Sequence, residues 1–169
     1  MRVAFAIALA ALPPSVHPWP IGAGARYHPP AAPPAVRAGK PIGTLRCGAY
    51  PVRFDAHIEV FASRRVAILP PGIGRGPHGC RYDASTNAPT GVVRLTRPVR
   101  LGDLFRIWGQ ALGPRQLLSF HGTTAAFVAG RKWNGDPRRI WITRHAQIVL
   151  ETGGYVAPHP SYLFPKGTP

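Results

Sequence analysis

The sequence contains few acidic residues. Only six of its 169 residues are Asp or Glu, against 21 Lys and Arg, which gives a formal net charge of +15. The basic residues are scattered, and the chain has no basic helix, no zinc-finger spacing and no aromatic stacking motif on a strand, so nucleic acid is a disfavoured partner. One interpretation of the charge is an Arg-rich composition that reflects the coding background and keeps the protein soluble. The other is an anionic partner, such as an acidic envelope polymer or phospholipid head groups.

Long apolar runs are also lacking. The run Val3–Leu12 is too short for a transmembrane helix, which needs about 20 apolar residues. It follows Arg2 and precedes the small residues Ala23-Gly24-Ala25, an arrangement typical of a secretory signal. Residues 1–25 are therefore predicted to be a signal peptide. The mature protein is predicted to be secreted or extracytoplasmic, and it could associate with the cell envelope. The alternative is a mis-assigned start or an intracellular disordered leader.

Cysteine is limited to Cys47 and Cys80. The chain has no Cys-x-x-Cys redox motif, and two sulfurs alone do not make a zinc site. In an exported protein a single pair is most simply a disulfide, so we predict a Cys47–Cys80 bridge. Two unrelated buried thiols are the alternative.

Proline and glycine are abundant and unevenly spread. The 21 Pro and 19 Gly are densest in Pro13–Pro41 and Pro158–Pro169, two stretches without hydrophobic periodicity. They indicate extended tails. We therefore predict a Pro/Ala/Gly-rich leader at 26–42, a single domain at 43–156 and a Pro-rich tail at 157–169.

The predicted domain alternates strands with one principal helix. Leu101, Leu104, Phe105, Trp108 and Leu112 form one apolar stripe, which predicts a helix over Leu101–Leu112, ended by Gly113 and Pro114. β-prone runs are Ala56–Ala62, Val66–Leu69, Gly91–Thr96, Thr124–Trp133 and Arg139–Glu151. Strands before and after one helix predict an α+β fold with a β-grasp-like (ubiquitin-like) mixed sheet.

Several short motifs carry a resemblance. They are Asp55-Ala56-His57-Ile58, Pro71-Gly72-Ile73-Gly74, Cys80, Leu101-Gly102-Asp103-Leu104-Phe105-Arg106-Ile107-Trp108-Gly109-Gln110, Asn134-Gly135-Asp136-Pro137-Arg138 and His145-Ala146-Gln147-Ile148-Val149-Leu150-Glu151. Through them the chain from Cys47 to Pro165 resembles an uncharacterised family of exported or membrane-anchored bacterial proteins with a His-rich strand motif. A weaker likeness, over Ala125–Gly154, is to the last strands of ubiquitin-like sulfur carriers. Their reactive Gly-Gly end would require processing here, because 15 residues follow Gly154.

The resembled family carries histidines at positions that correspond to 53, 55, 57, 85, 87 and 94. Alternating imidazoles on a strand share one face, which implies a divalent metal in those proteins. This chain has Arg53, Asp55, Ser85, Asn87 and Arg94 instead, and keeps only His57. Because two of the replacements are cations, we expect the family's metal site to be lost.

A residual metal site is a second possibility. Asp55, His57 and Glu59 alternate along one predicted strand, and together they could bind zinc or manganese if a fourth ligand joined them. The favoured alternative is that they form the solvated polar face of a half-buried sheet.

Signs of catalysis are absent from the sequence motifs. There is no Gly-x-Ser-x-Gly elbow, and Gly72–Gly76 is too short and wrongly placed to cradle a phosphate. Asp103 is expected in the first turn of the helix and Asp136 in a turn, both in structural roles. A binding surface could instead include the aromatic and basic residues Trp133, Trp141, Tyr155, Arg138 and Arg139.

We therefore expect a non-enzymatic extracytoplasmic domain without a cofactor, with a binding or structural role in the cell envelope. Its partner would be an anionic envelope component or another protein. The alternative function is that of a divergent metal-binding protein that uses Asp55 and His57.

Overall fold

The computed structural model describes residues 26–29 and 33–169, and the predicted signal peptide lies outside them. The fold is mixed α+β. The described strands are β1 (Arg26–Tyr27), β2 (Phe54–Ala62), β3 (Arg65–Ala67), β4 (Ala84–Ser85), β5 (Val92–Leu95), β6 (Val99–Arg100), β7 (Leu112–Gly113), β8 (Gln116–Leu117), β9 (Phe120–His121), β10 (Ala125–Val128), β11 (Arg131–Lys132), β12 (Trp141–Ile142) and β13 (Gln147–Thr152). The helices are α1 (Pro34–Arg37) and α2 (Leu101–Trp108), with short 3-10 helices at Pro77–Gly79 and Pro137–Arg139.

The main sheet is centred on β2. Its strand order is β1-β3-β2-β13-β10-β11, and β5, flanked by β4, pairs with the first half of β2. β2 and β13 run parallel, with Ile58 opposite Ile148, whereas β3 and β5 are antiparallel to β2. The β2–β3 hairpin turns through Ser63 and Arg64, both with positive φ, as expected for a two-residue turn that matches the twist of the strands.

The two faces of this sheet differ in chemistry. Because side chains alternate along a strand, Ala56, Ile58 and Val60 point to one face, where they join the main core with Leu104 and Trp108 of α2. The alternation predicted for β2 is confirmed by this arrangement. The opposite face carries the polar residues of β2, and it positions the candidate site.

Helix α2 is shorter than predicted. It ends at Trp108 because Gly109 adopts a left-handed conformation (φ 74°), where its N–H and that of Gln110 bond to carbonyls of the last turn. Leu112 then belongs to a small three-stranded sheet of β7, β8 and β9. The helix starts after Arg100, whose side chain makes no capping hydrogen bond, because a guanidinium group has no acceptor for the free N–H groups of the first turn.

The two long strands predicted after the helix are each divided. Thr124–Trp133 is a hairpin, because Ala129 and Gly130 both have positive φ and reverse the chain between β10 and β11. Arg139–Glu151 contains β12, which pairs with β6 outside the main sheet, and β13. His145, in a turn with φ of 54°, separates them.

Residues on both sides of the predicted domain contact the sheet. β1 pairs with β3, and Val36 of α1 is fully buried in the core. After β13 the chain reverses at Gly153 and Gly154, which have φ of 70° and 146°. Residues 153–169, named the strap here, run back across the face opposite α2.

The predicted disulfide is confirmed. Cys47 and Cys80 are bonded with Cα atoms 5.4 Å apart, and neither cysteine is free. Among the described helices, none has both the length and the apolar character that a membrane span requires.

Candidate functional site

The polar face of β2 is covered by the strap. Asp55, His57 and Glu59 share this face, and their exposed fractions are 6%, 0% and 6%. The prediction of a solvated polar face is therefore wrong. Its physical reason is that Tyr162 stacks on His57 and that His159 bonds Glu59, so strap residues occupy the place expected for water.

His57 is held as a buried, neutral imidazole. Its Nε2 lies 3.0 Å from the Thr90 carbonyl oxygen, which can only accept a hydrogen bond, so Nε2 carries the proton. Nδ1 lies 2.7 Å from the side-chain amide of Gln147. A neutral ring needs a donor there, and the amide nitrogen of Gln147, which has no other partner, supplies it when the amide is rotated. Burial lowers the pKa of His57, outweighing these hydrogen bonds and the nearby charge of Glu59, which raise it.

Glu59 joins the sheet to the strap. His159 Nδ1 lies 2.9 Å from Glu59 Oε2, whereas His57 Nδ1 is 3.6 Å from Glu59 Oε1. Asp55 lies apart from this group and faces Arg94. Within residues 26–29 and 33–169, no three His, Cys, Asp or Glu side chains converge as a metal site would require. Metal binding by Asp55, His57 and Glu59 thus stays a prediction.

A cavity of about 330 Å³ lies between the strap and the sheet beside Asp55. We name it the Asp55 cavity. Its lining comprises Asp55, Asn87, Ala88, Thr90, Val92, Arg94, Tyr162, Phe164, Pro165 and Thr168. The Arg94 Nε atom is 3.6 Å from Asp55 Oδ1, beyond hydrogen-bond distance, and this buried oxygen has no hydrogen-bond partner. Burial raises the pKa of Asp55, and the Arg94 charge opposes that rise.

Three of the six positions that the resemblance marks as histidine positions line this one cavity: 55, 87 and 94. His57 is not part of the lining but stacks on Tyr162, which is, and Ser85 on β4 is buried. Arg53 points elsewhere and lines a separate pocket. The structure therefore brings together at this cavity half of the positions that the resemblance marks, and they hold an acid, an amide and a cation.

That separate pocket is lined by three arginines. Arg46, Arg53 and Arg97 surround about 400 Å³ together with the exposed ring of Tyr50. We name it the arginine pocket. Arg97 donates to buried Asp83 at 2.7 Å, whereas the Arg53 side chain makes no hydrogen bond or ion pair within the described part of the chain. Arg53 is therefore available to an external anion.

The predicted surface around Trp133 and Trp141 is partly engaged. Both indoles are exposed, but the Arg100 guanidinium lies 3.8 Å from the centre of the Trp141 ring, and Arg138 bonds Asp136 through two nitrogens. Arg139 is exposed. A binding role for these residues stays a prediction. Asp136 accepts from the Arg138 N–H at the start of a 3-10 helix, in agreement with its expected structural role.

The acids and the bases are segregated. None of the six acids is exposed, whereas no described Lys or Arg is buried. Four acids are buried: Asp55, Glu59, Asp83 and Glu151. The two others are paired with arginines, Asp103 with Arg106 and Asp136 with Arg138. The solvent-facing charge is therefore almost entirely positive.

The strap residues of the site were missed from the sequence, because their proline-rich surroundings indicated an extended tail. The one available signal was the apolar run Tyr162-Leu163-Phe164, in which the two aromatic rings alternate as they would when an extended segment lies on a surface. Comparison of the chain with protein-family models, with curated proteins and with solved structures gave no match.

Proposed function

We propose that this protein is a non-enzymatic, extracytoplasmic domain that binds an anionic polymer of the cell envelope. The observation that carries the proposal is the segregation of charge, because it leaves the surface positive while the acids are buried or paired. Exposed arginines attract and bind phosphate and carboxylate groups over the whole physiological pH range.

The arginine pocket is the proposed centre of this binding. Arg53 presents to this pocket a guanidinium group that is unpaired among the described residues. Arg46, whose Nη1 donates to the carbonyl oxygens of Gly43 and Leu45, has further nitrogens for phosphate or carboxylate oxygens. Tyr50 beside them offers an exposed ring against which a sugar or glycerol unit can pack. A charged repeat unit of an envelope polymer combines both features.

One further observation supports the proposed extracytoplasmic location, and another supports the proposed fold. The Cys47–Cys80 disulfide is typical of proteins in an oxidising compartment outside the cytoplasm. The strand pairing supports a β-grasp assignment: the β2–β3 hairpin precedes α2, the β10–β11 hairpin follows it, and β2 and β13 lie parallel in the centre.

The experiment is a binding titration of the protein without its first 25 residues against a polyglycerol-phosphate polymer. We expect binding that weakens steeply as salt is raised, because polymer counterions are released on association. Phosphatidylglycerol vesicles and duplex DNA are titrated in parallel. Tighter binding to either of them than to the polymer would overturn the choice of partner, and no binding to any of the three would overturn the function.

A matched pair of variants tests the arginine pocket. Arg46→Gln/Arg53→Gln should bind the polymer about tenfold more weakly, as expected for the loss of specific charge-assisted contacts. Arg115→Gln/Arg144→Gln removes the same charge from two other exposed positions and should change affinity less than about threefold. Equal losses in the two variants would contradict the assignment to this pocket.

A further inference from the structure

The Asp55 cavity has one polar and one aromatic wall. Asp55 and Arg94 form the polar part on β2 and β5, and Tyr162, Phe164 and Pro165 of the strap close the other side. Its volume of about 330 Å³ lies at the lower end of the range for small-molecule sites, about 300–1,000 Å³. The cavity therefore suits a small ligand with an apolar part and a polar part.

The two charged groups of the cavity are incompletely paired with each other. Asp55 is 94% buried, yet its Oδ1 has no hydrogen-bond partner. The nearest cation is Arg94 Nε at 3.6 Å, and the Arg94 side chain is 36% exposed. A buried carboxylate is stable only when its oxygens are bonded, so an additional donor at Asp55 would be favourable.

We propose that the Asp55 cavity binds a free α-amino acid with an apolar side chain. The ammonium group of the ligand donates to Asp55, its carboxylate accepts from the guanidinium of Arg94, and its side chain lies against Tyr162 and Phe164. Because Asp55 and Arg94 are adjacent, they select an ammonium and a carboxylate that are attached to the same carbon atom.

The charge of the cavity supports a zwitterion over a simple ion. The Arg94 Nε and Asp55 Oδ1 atoms are 3.6 Å apart. A metal ion or an organic cation bound at Asp55 would therefore be repelled by Arg94, and an anion bound at Arg94 would be repelled by Asp55. A ligand that carries both charges meets an opposite charge at each end. It adds no net charge to a partly buried site, and the cost of desolvating its two charges is offset by the opposite charge that each of them meets.

The first test uses the unaltered protein and calorimetric titration. L-leucine and L-phenylalanine should bind, whereas N-acetyl-L-leucine and L-leucinamide, each of which lacks one charge, should bind at least about tenfold more weakly. The dipeptide Leu-Leu separates the two charges and should also bind at least about tenfold more weakly. Equal binding of a blocked derivative and the free amino acid, or no binding of either amino acid, would overturn the proposal.

The second test uses two double variants. Asp55→Asn/Arg94→Gln keeps the volume and removes both charges, and we expect it to bind L-leucine at least about tenfold more weakly. Asp103→Asn/Arg106→Gln removes another Asp–Arg pair, 3.4 Å apart on α2, and should retain affinity within about twofold. Equal losses would overturn the proposal.

Circular dichroism and thermal unfolding establish whether each variant is folded; should the cavity variant fail to fold, the ligand series on the unaltered protein decides the question. Both double variants keep the arginine pocket intact, so both should still bind polyglycerol phosphate. Titration with this polymer therefore distinguishes a failure of this proposal from a failure of the proposed function.

Discussion

The imidazole ring of His57 lies stacked on the phenol ring of Tyr162, with 3.8 Å between the ring centres and 13° between the ring planes. His57 belongs to the central strand β2, and Tyr162 to the strap. The contact fixes the strap over the middle of the sheet, and it places Tyr162 in the wall of the Asp55 cavity.

Truncation of Tyr162 should loosen the strap. We expect Tyr162→Ala to lower the free energy of unfolding by about 1–2 kcal/mol, because it removes the stacked pair and exposes buried His57. Urea denaturation measures the change. Leu163→Ala is the control, since the neighbouring Leu163 is 62% exposed and should cost less than about 0.5 kcal/mol. Equal effects of the two substitutions would show that the stack does not anchor the strap.

His57 should make stability fall in mild acid. The pKa of His57 is lowered by burial in the folded protein, whereas the unfolded chain titrates near the ordinary value of 6.5. Both states are neutral above that value, but below it the unfolded chain takes up the proton first, so this contribution to stability is lost as the pH falls from 6.5 towards the folded pKa. The slope from one group is at most about 1.4 kcal/mol per pH unit.

To isolate the contribution of His57, the free energy of unfolding is measured for the unaltered protein and for His57→Gln between about pH 7.5 and about pH 5. Stability of the variant should depend less on pH across this range. His121→Gln, at an exposed position, should follow the unaltered protein. A His57→Gln curve parallel to that of the unaltered protein would contradict the assignment.

Neutralising Glu151 should stabilise the fold at neutral and higher pH. This side chain is 2% exposed, its Oε1 has no hydrogen-bond partner, and the described residues provide no ion pair for it. Burial raises the pKa of Glu151 above its ordinary 4.5, so its ionisation destabilises the folded state increasingly as the pH rises through that value.

We therefore expect Glu151→Gln to gain about 1 kcal/mol near pH 8 and less near pH 4, where the carboxyl group is already protonated. Thermal unfolding at both pH values measures the gain. Asp103→Asn, at a partly exposed acid, should show no such increase with pH. A Glu151→Gln protein that is less stable at both values would show that the carboxylate makes a needed contact.

Gly76 should be required for the disulfide. A Cβ atom at this position would lie 2.5 Å from the sulfur atoms of both Cys47 and Cys80. Gly76→Ala should therefore destabilise the protein by about 1–3 kcal/mol through overpacking or leave the two thiols unbonded. Thiol titration and urea denaturation distinguish the two results. Gly113→Ala, with open space around its Cβ, is the control, and an equal loss in both variants would contradict the explanation.

Local patterns predicted the central elements but not their ends. The alternation of β2 and the apolar stripe of α2 depend on neighbouring residues, and both are found. The stripe continues to Leu112, but the helix stops at Gly109, because a left-handed glycine outweighs one further apolar residue at helical spacing. Likewise, the apolar run around Ala129 predicted one continuous strand, whereas the chain turns at Ala129 and Gly130.

The candidate site depends on contacts that are distant in sequence. Asp55 meets Arg94 only because β2 and β5 pair in that register, and Tyr162 reaches His57 only because the chain reverses after β13. The polar alternation of β2 correctly placed Asp55, His57 and Glu59 on one face. Whether water or protein covers a face is decided by tertiary packing, which the composition of the strap did not reveal.

The segregation of acids and bases separates two responses of the molecule to pH. Arginines keep their charge throughout the range in which proteins stay folded, so acidification does not weaken the attraction of the exterior for an anion. The interior, in contrast, holds the groups whose protonation changes the stability of the fold, His57 and Glu151 among them. Their effects oppose each other, because acidification removes the stabilisation that depends on neutral His57 but relieves the destabilisation that depends on ionised Glu151. A polyanion bound as proposed would stabilise the folded chain by mass action whichever of the two effects is larger.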